Sequence, residues 1–287
     1  VTRSERTLAG PAALSGTGLH EGRPAAVRLA PAPAGTGVVF ARTDLPGAPC
    51  VAACPSAVAE GRRRTLLRAG KAEVHTVEHL LATLLALRLD NVRVEVDGPE
   101  LPGLDGSARP WLDALAAAGA VEQHRPRRTL RLRRAVAVAL DGASLAAIPT
   151  GRAALELSYT LDYSAQGVPP QHVEALLPGT DFAAEIAPAR TFVLEHESEA
   201  LRAAGLGLGA DASNTVVLGR GGAASGGSLR FPDEPARHKL LDLLGDLALL
   251  GADLQARVVA VKSGHRAHHE LVRRLAQELE AHGAEVG

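Results

Sequence analysis

Three residues able to bind a metal or move a proton fall on one line of a Leu-rich segment. In "RHKLLDLLGDL", residues 237–247, His238, Asp242 and Asp246 recur every four positions. In an α-helix that spacing puts all three on one stripe. Leu240, Leu241, Leu243, Leu244 and Leu247 supply the same helix with an apolar face. A His–Asp pair at i, i+4 projects from consecutive turns, roughly 5–6 Å apart at Cβ, close enough to hold one ion. Zinc accepts imidazole and carboxylate, and a catalytic site keeps three protein ligands and leaves the fourth position to water. On a surface helix the same pair is also compatible with an ordinary solvated face.

Eleven histidines widen the choice of ligands. His79, in "VEHLL", is a candidate third ligand from the other half of the chain. Its neighbour Glu78 would then lie close to the metal without binding it, the place for a general base. The two-histidine H-E-x-x-H zinc pattern is absent. His20 sits in the Gly-rich "GTGLHEG", and His265 ends "KSGH" at an expected strand-to-helix junction. His268 and His269, one turn further on, are expected on the exposed side of the last helix.

The elements that must position these groups follow from periodicity. Short β-like pieces ("AAVRLAP", "GVVFARTD", "VAACPSAV") precede a helix expected over 74–89. An alternating strand, "NVRVEVDG", and a second helix over 107–120 follow, with Ser107 as N-cap and Gly119 as stop. "EQHRPRR", residues 122–128, reads as a linker. The second half repeats the order: strands, a short helix "SEALRAAGL", the strand "NTVVLG", the long helix around 237–247, the strand "ARVVAVKSG" and a closing helix. The reading is an α+β protein of two domains packed together, 1–124 and 125–287, with a site between them.

Composition narrows the functional classes. The 287 residues are 46% hydrophobic and 22% charged, with formal net charge −1, so no polyanion-binding surface and no nucleic-acid partner are expected. The basic runs "GRRRT" (61–65) and "RPRRTLRLRR" (125–134) read as solvated edges. Two cysteines, Cys50 and Cys54, exclude a disulfide framework and fit the cytoplasm. No apolar run, no amphipathic anchor and no h-region is visible, so a stable membrane anchor is not expected, and nothing demands more than a monomer.

Taken in order, "GTGLHEG", "LAPAPAGTGVVFARTDL", "TVEHLLATLLAL", "DNVRVEV", "PELPGLDGSARPW", "ARTF", "ARHKLLDLLGDL" and "KSGH" resemble the bacterial UDP-3-O-acyl-N-acetylglucosamine deacetylases, from about Thr7 to about Leu275. These are zinc amidases at the committed step of lipid A synthesis. The resemblance implies His79, His238 and Asp242 as ligands of Zn2+, with Fe2+ also able to take two imidazoles and a carboxylate. It implies Glu78 as general base, His265 as the catalytic histidine and Asp246 as the carboxylate that orients it. Thr191 would help hold the oxyanion. Among substrate contacts it implies Lys239 at the phosphates, Phe192 and Tyr163 at the nucleotide, and His20 near the sugar and the acyl-chain entrance. The substrate would be a UDP-linked acylated glucosamine, cleaved to free amine and acetate. The implied fold has two similar domains, each a β-sheet layered on two helices, with the helix layers face to face. Each domain carries a small insert, and the second, near 193–213, would form the acyl-chain passage.

Two positions depart from that pattern. Ala143 stands where members carry a lysine near the uridine, and Asp211 stands where a Gly-Gly-Ser run is common. An altered uridine pocket would suit a different N-acyl amino sugar.

Overall fold

The computed structural model describes residues 3–222, 224–225 and 228–282. Its larger sheets have one plan. In the first, strands lie in the spatial order Ala12–Thr17, Pro24–Pro31, Val92–Val96, Val38–Arg42, Cys50–Ala52. In the second the order is Val136–Leu140, Ala143–Ile148, Asp253–Val261, Leu155–Tyr163, Val168–Leu177. Each places its last strand in sequence at the centre, antiparallel to one neighbour and parallel to the other. Thr129–Arg131 pairs with the start of the second central strand. Burial alternates along Pro24–Pro31 and Ala143–Ile148, as a half-buried sheet requires.

The helices enter at matching points. α1 (Glu78–Ala86) precedes the first central strand and α2 (Arg109–Ala118) follows it. Two short helices, α3 (Phe182–Glu185) and α4 (Ser198–Ala203), lie in the second half. α5 (Glu234–Ala248) precedes the second central strand and α6 (His265–His282) follows it. α1 packs on α5, and α5 on α6. One apolar core runs from Leu8 to Leu279 and includes residues of both sheets and of α1, α2, α5 and α6. Arg3 adds a polar clamp, binding Asp90 and Asp253 at 2.7 Å each.

Gly245 explains how closely α1 and α5 meet. A Cβ at this position would lie 2.1 Å from the Glu78 carbonyl oxygen. A glycine inside a helix costs about 1 kcal/mol relative to alanine. Here it permits backbone-to-backbone contact under the site.

Several expectations change. The helix expected over 74–89 begins only at Glu78, because Ala72–His75 is a strand paired with Leu66–Ala69 and Thr76 has a positive φ of 59°. The expected linker at 122–128 is largely strand: Ala120–Pro126 pairs antiparallel with Ser4–Leu8. That strand also crosses residue 124. α2 starts at Arg109 with Ala108, not Ser107, at the N-cap position; the Ser107 hydroxyl still accepts from the Arg109 N–H, and Gly119 ends the helix at φ 70°. The outer ends of the expected division, residues 1–2 and 283–287, lie outside the described residues. The region near 193–213 belongs to a small three-stranded unit, Phe192–Leu194, Val216–Leu218 and Ala224–Ser225, with α4 between the first two strands. Among the described residues no helix is long and apolar enough to cross a membrane.

Candidate active site

The stripe on α5 is buried. His238 is 3% exposed, Asp242 4% and Asp246 0%, which removes the solvated-face reading. His79 reaches them from the first turn of α1, because α1 crosses α5 at Gly245. His79, His238 and Asp242 present one ligand atom each, all within 4.8 Å of one another. Asp242 Oδ1 is 3.5 Å from His238 Nε2 and 3.8 Å from His79 Nε2. Ligands bound at 2.0–2.2 Å around a tetrahedral ion lie about 3.3–3.6 Å apart, so the trio fits a zinc-sized cation with small adjustment. The His238 ring is turned by its other nitrogen, which donates to the Ala189 carbonyl at 3.0 Å and leaves Nε2 as the ligand atom. Burial lowers both rings, His79 to about 3, keeping them neutral as ligands must be. Burial opposes the charge of Asp242, but Lys239 and the surrounding histidines outweigh it and hold the carboxyl below its ordinary range.

Glu78 and His265 flank the trio. His265 Nε2 lies 3.7 Å from Glu78 Oε1 and 3.8 Å from Asp242 Oδ2. Burial pushes Glu78 up to about 7, helped by Asp242 and Asp246 and opposed by His265. Burial alone would lower His265, yet the charge and hydrogen bond of Asp246, with Asp242 and Glu78, raise it to about 9. Near neutral pH Glu78 is thus poised to take up or release a proton, beside a His265 ring that favours its protonated form.

Asp246 is where the structure departs most from expectation. It accepts from His265 Nδ1 at 2.8 Å, His268 Nδ1 at 2.7 Å, His269 Nε2 at 3.2 Å and the Thr65 hydroxyl at 2.5 Å. His268 is fully buried and His269 is 6% exposed, so neither faces solvent. The first turn of α6 is pressed against α5, and the polar stripe of one helix satisfies that of the other. Thr65 was hidden at the end of the basic run "GRRRT" and is also fully buried. No local signal marks it, because the partners of its hydroxyl lie 181 to 204 residues away.

A cavity of about 1130 Å³ opens over these groups. His20, Tyr163, Thr191, Phe192 and Lys239 all line it, as do Ala143 and Asp211. Thr191 is held through its backbone: its N–H donates to Gly106, and its carbonyl accepts from Val216. Gly106, at φ 77°, sits so close to Asn214 that any side chain would strike the carbonyl there. Phe192 meets both His238 and Tyr163 edge-to-face, at 6.4 and 6.1 Å. Lys239 donates to Asp242 Oδ2 at 2.6 Å. Among the described residues the buried His20 Nδ1 has no hydrogen-bond partner. Asp211 is folded back into its own turn, accepting from the Ser213 N–H and hydroxyl.

The LpxC family, UDP-3-O-acyl N-acetylglycosamine deacetylase, matches residues 5–277. The chain belongs to this family. A UDP-3-O-acyl-N-acetylglucosamine deacetylase of Thermosynechococcus vestitus is 42% identical over 97% of this chain and 96% of its own length. One from Myxococcus xanthus is 39% identical over 95% and 86%. A bifunctional LpxC/FabZ enzyme of Chlorobaculum tepidum is 35% identical over 94% of this chain and 64% of its own length. The buried His/Asp cluster is consistent with the metal site of an LpxC deacetylase, a metal-dependent hydrolase.

Proposed function

We propose that this chain hydrolyses the acetamide of a UDP-3-O-(3-hydroxyacyl)-N-acetylglucosamine to the free amine and acetate, the committed step of lipid A biosynthesis. The observation that carries the reading is the placement of Glu78 and His265, 3.7 Å apart, beside the buried His79–His238–Asp242 trio. His79, His238 and Asp242 would hold Zn2+, or Fe2+. Such an ion supplies Lewis acidity and brings the pKa of a water toward about 7. Glu78 Oε1 takes a proton from the attacking water. His265 Nε2–H faces the developing oxyanion together with the Thr191 hydroxyl and then protonates the leaving nitrogen. Asp246, accepting from Nδ1, fixes the ring and sustains its charge through the step.

The remaining lining residues are assigned to the substrate. Phe192 and Tyr163 offer aromatic faces and edges to the uridine. Lys239 is the buried cation for the phosphates, and His20 faces the sugar and the start of the acyl chain. The small unit around 193–213 borders the acyl passage. The two sheets of equal strand order support two α+β domains, 1–124 and 125–287, with α1 and α5 facing across the boundary. The reading is of a cytoplasmic monomer with no nucleic-acid partner.

The test is deacetylation of that substrate by purified protein, with metal content measured on the same sample. Acetate release with about one Zn or Fe per chain is expected. A metal-loaded, folded protein without turnover would discard the substrate and point to the pocket around Ala143.

A further inference from the structure

The proposed base and the catalytic histidine face each other, with Glu78 Oε1 3.7 Å from His265 Nε2, just short of hydrogen-bond contact. Contact would tie up the proton acceptor and the proton donor together. Each is held back by the same residue. The Thr65 N–H donates to Glu78 Oε2 at 3.2 Å, while its hydroxyl donates to Asp246 Oδ1, the carboxylate that holds His265 through its other oxygen.

We infer that Thr65 is a positioning residue that sets the spacing between Glu78 and His265. The inference rests on the hydrolytic reading above. Its hydroxyl has one proton, and that proton goes to Asp246. The ring nitrogens near the Thr65 oxygen, His265 Nδ1 at 3.1 Å and His269 Nε2 at 3.0 Å, must therefore act as donors. Asp246 already requires the protonated form of both nitrogens, and the Thr65 oxygen reinforces it as a second acceptor, which leaves His265 Nε2 aimed at Glu78. Its own location is fixed by the backbone. The Thr65 carbonyl accepts from Thr76 at 3.1 Å, and Leu66 pairs with His75, so the hairpin ends directly over the first turn of α1.

Two substitution pairs separate the hydroxyl from packing. Thr65→Val keeps the shape and removes the hydroxyl; Thr65→Ser keeps the hydroxyl and removes the methyl. Should Thr65→Val not fold, Thr65→Ser against Thr65→Ala again differs by the hydroxyl alone. Loss of a hydrogen bond to a charged group corresponds to about 10–100-fold in rate. Thr65→Val or Thr65→Ala is expected to lose that much in kcat, with KM and metal content within about twofold of the parent, and Thr65→Ser to retain most activity. The second readout needs neither substrate nor metal: the imidazole N–H signals in a ¹H–¹⁵N spectrum of the chelated protein. The Nδ1 proton of His265 should move or exchange away in Thr65→Ala and persist in Thr65→Ser. Equal losses in Ser and Ala variants, unchanged kcat in Thr65→Val, or superimposable ring signals would each overturn the inference. A parent protein inactive on the substrate would refute the proposed reaction, and the ring signals would still decide the role of Thr65.

Discussion

Gly245→Ala concentrates the fold and the chemistry in one methyl group. The added carbon would stand 2.1 Å from the Glu78 carbonyl oxygen and 2.8 Å from the Glu78 Cα. An ordinary contact begins near 3.4 Å, so α1 must retreat from α5 by about 1.3 Å at its first turn. Both contacts are backbone, so no rotamer change relieves them. α1 is buried from Glu78 to Leu84, so the movement disturbs Leu80 and Leu81 as well. Overpacking of this kind costs about 1–3 kcal/mol, against about 1 kcal/mol gained from alanine's helix propensity. The net stability change is therefore small, between about zero and 2 kcal/mol of loss. The functional loss is larger, because Glu78 and His79 ride on the displaced turn. Misplacement by 1 Å costs about 10²-fold in rate. The expected result is a folded protein with kcat reduced about 100-fold or more and weaker metal retention on dialysis. Steady-state kinetics, metal analysis and thermal unfolding on one preparation decide it. A Gly245→Ala protein with parental kcat and metal content, stabilised as propensity alone would have it, would falsify the close-approach argument.

Other outcomes follow from the same geometry. Glu78→Gln is expected to keep its metal while kcat falls about 10²–10⁴-fold, since the amide keeps the shape but cannot take the proton; loss of metal in this variant would instead make Glu78 a ligand. Asp242→Ala should bind metal poorly and be inactive, and chelation of the parent should abolish turnover until Zn2+ or Fe2+ is returned. If chelated protein still releases acetate, the trio is not the catalytic centre. His268, fully buried, has its pKa lowered by burial from near 6.5 to about 4 despite its bond to Asp246. A depressed histidine favours the fold above pH 6.5, and that advantage is lost as pH falls from 6.5 towards its folded value. At pH 5 the loss is about 2 kcal/mol from this residue, and His20 and His75, lowered to about 3 by burial, act in the same direction. His265, raised to about 9, and Glu78, raised to about 7, gain on the same descent and offset part of the fall, but they are outnumbered by the lowered His20, His75, His79, His238 and His268. Denaturant unfolding of the chelated protein at pH 7 and pH 5 measures this, and equal stability at the two values would contradict it.

The His79–His238–Asp242 cluster and its neighbour Glu78 were legible as candidates because their signals are local or nearly so. His238, Asp242 and Asp246 share a stripe by helical geometry alone, and Glu78–His79 open a strongly apolar helix. The strands and long helices of the second half also follow from short-range pattern. The resemblance to the deacetylases joined these pieces before any contact between them was visible. Tertiary structure decided the rest. Whether the first turn of α6 is wet or buried depends on what packs against it, so His268 and His269 looked exposed and proved to be partners of Asp246. The segment 120–126 looked like a linker because its pairing strand, Ser4–Leu8, lies more than a hundred residues earlier. Thr65 and Gly245 carry no motif: one matters for a hydroxyl placed by a hairpin, the other for a side chain it lacks. Sequence alone determined which groups this protein can bring to a reaction. Their spacing, burial and charge were decided by how α1, α5 and α6 meet, because hydrogen bonds and desolvation act across the fold rather than along the chain.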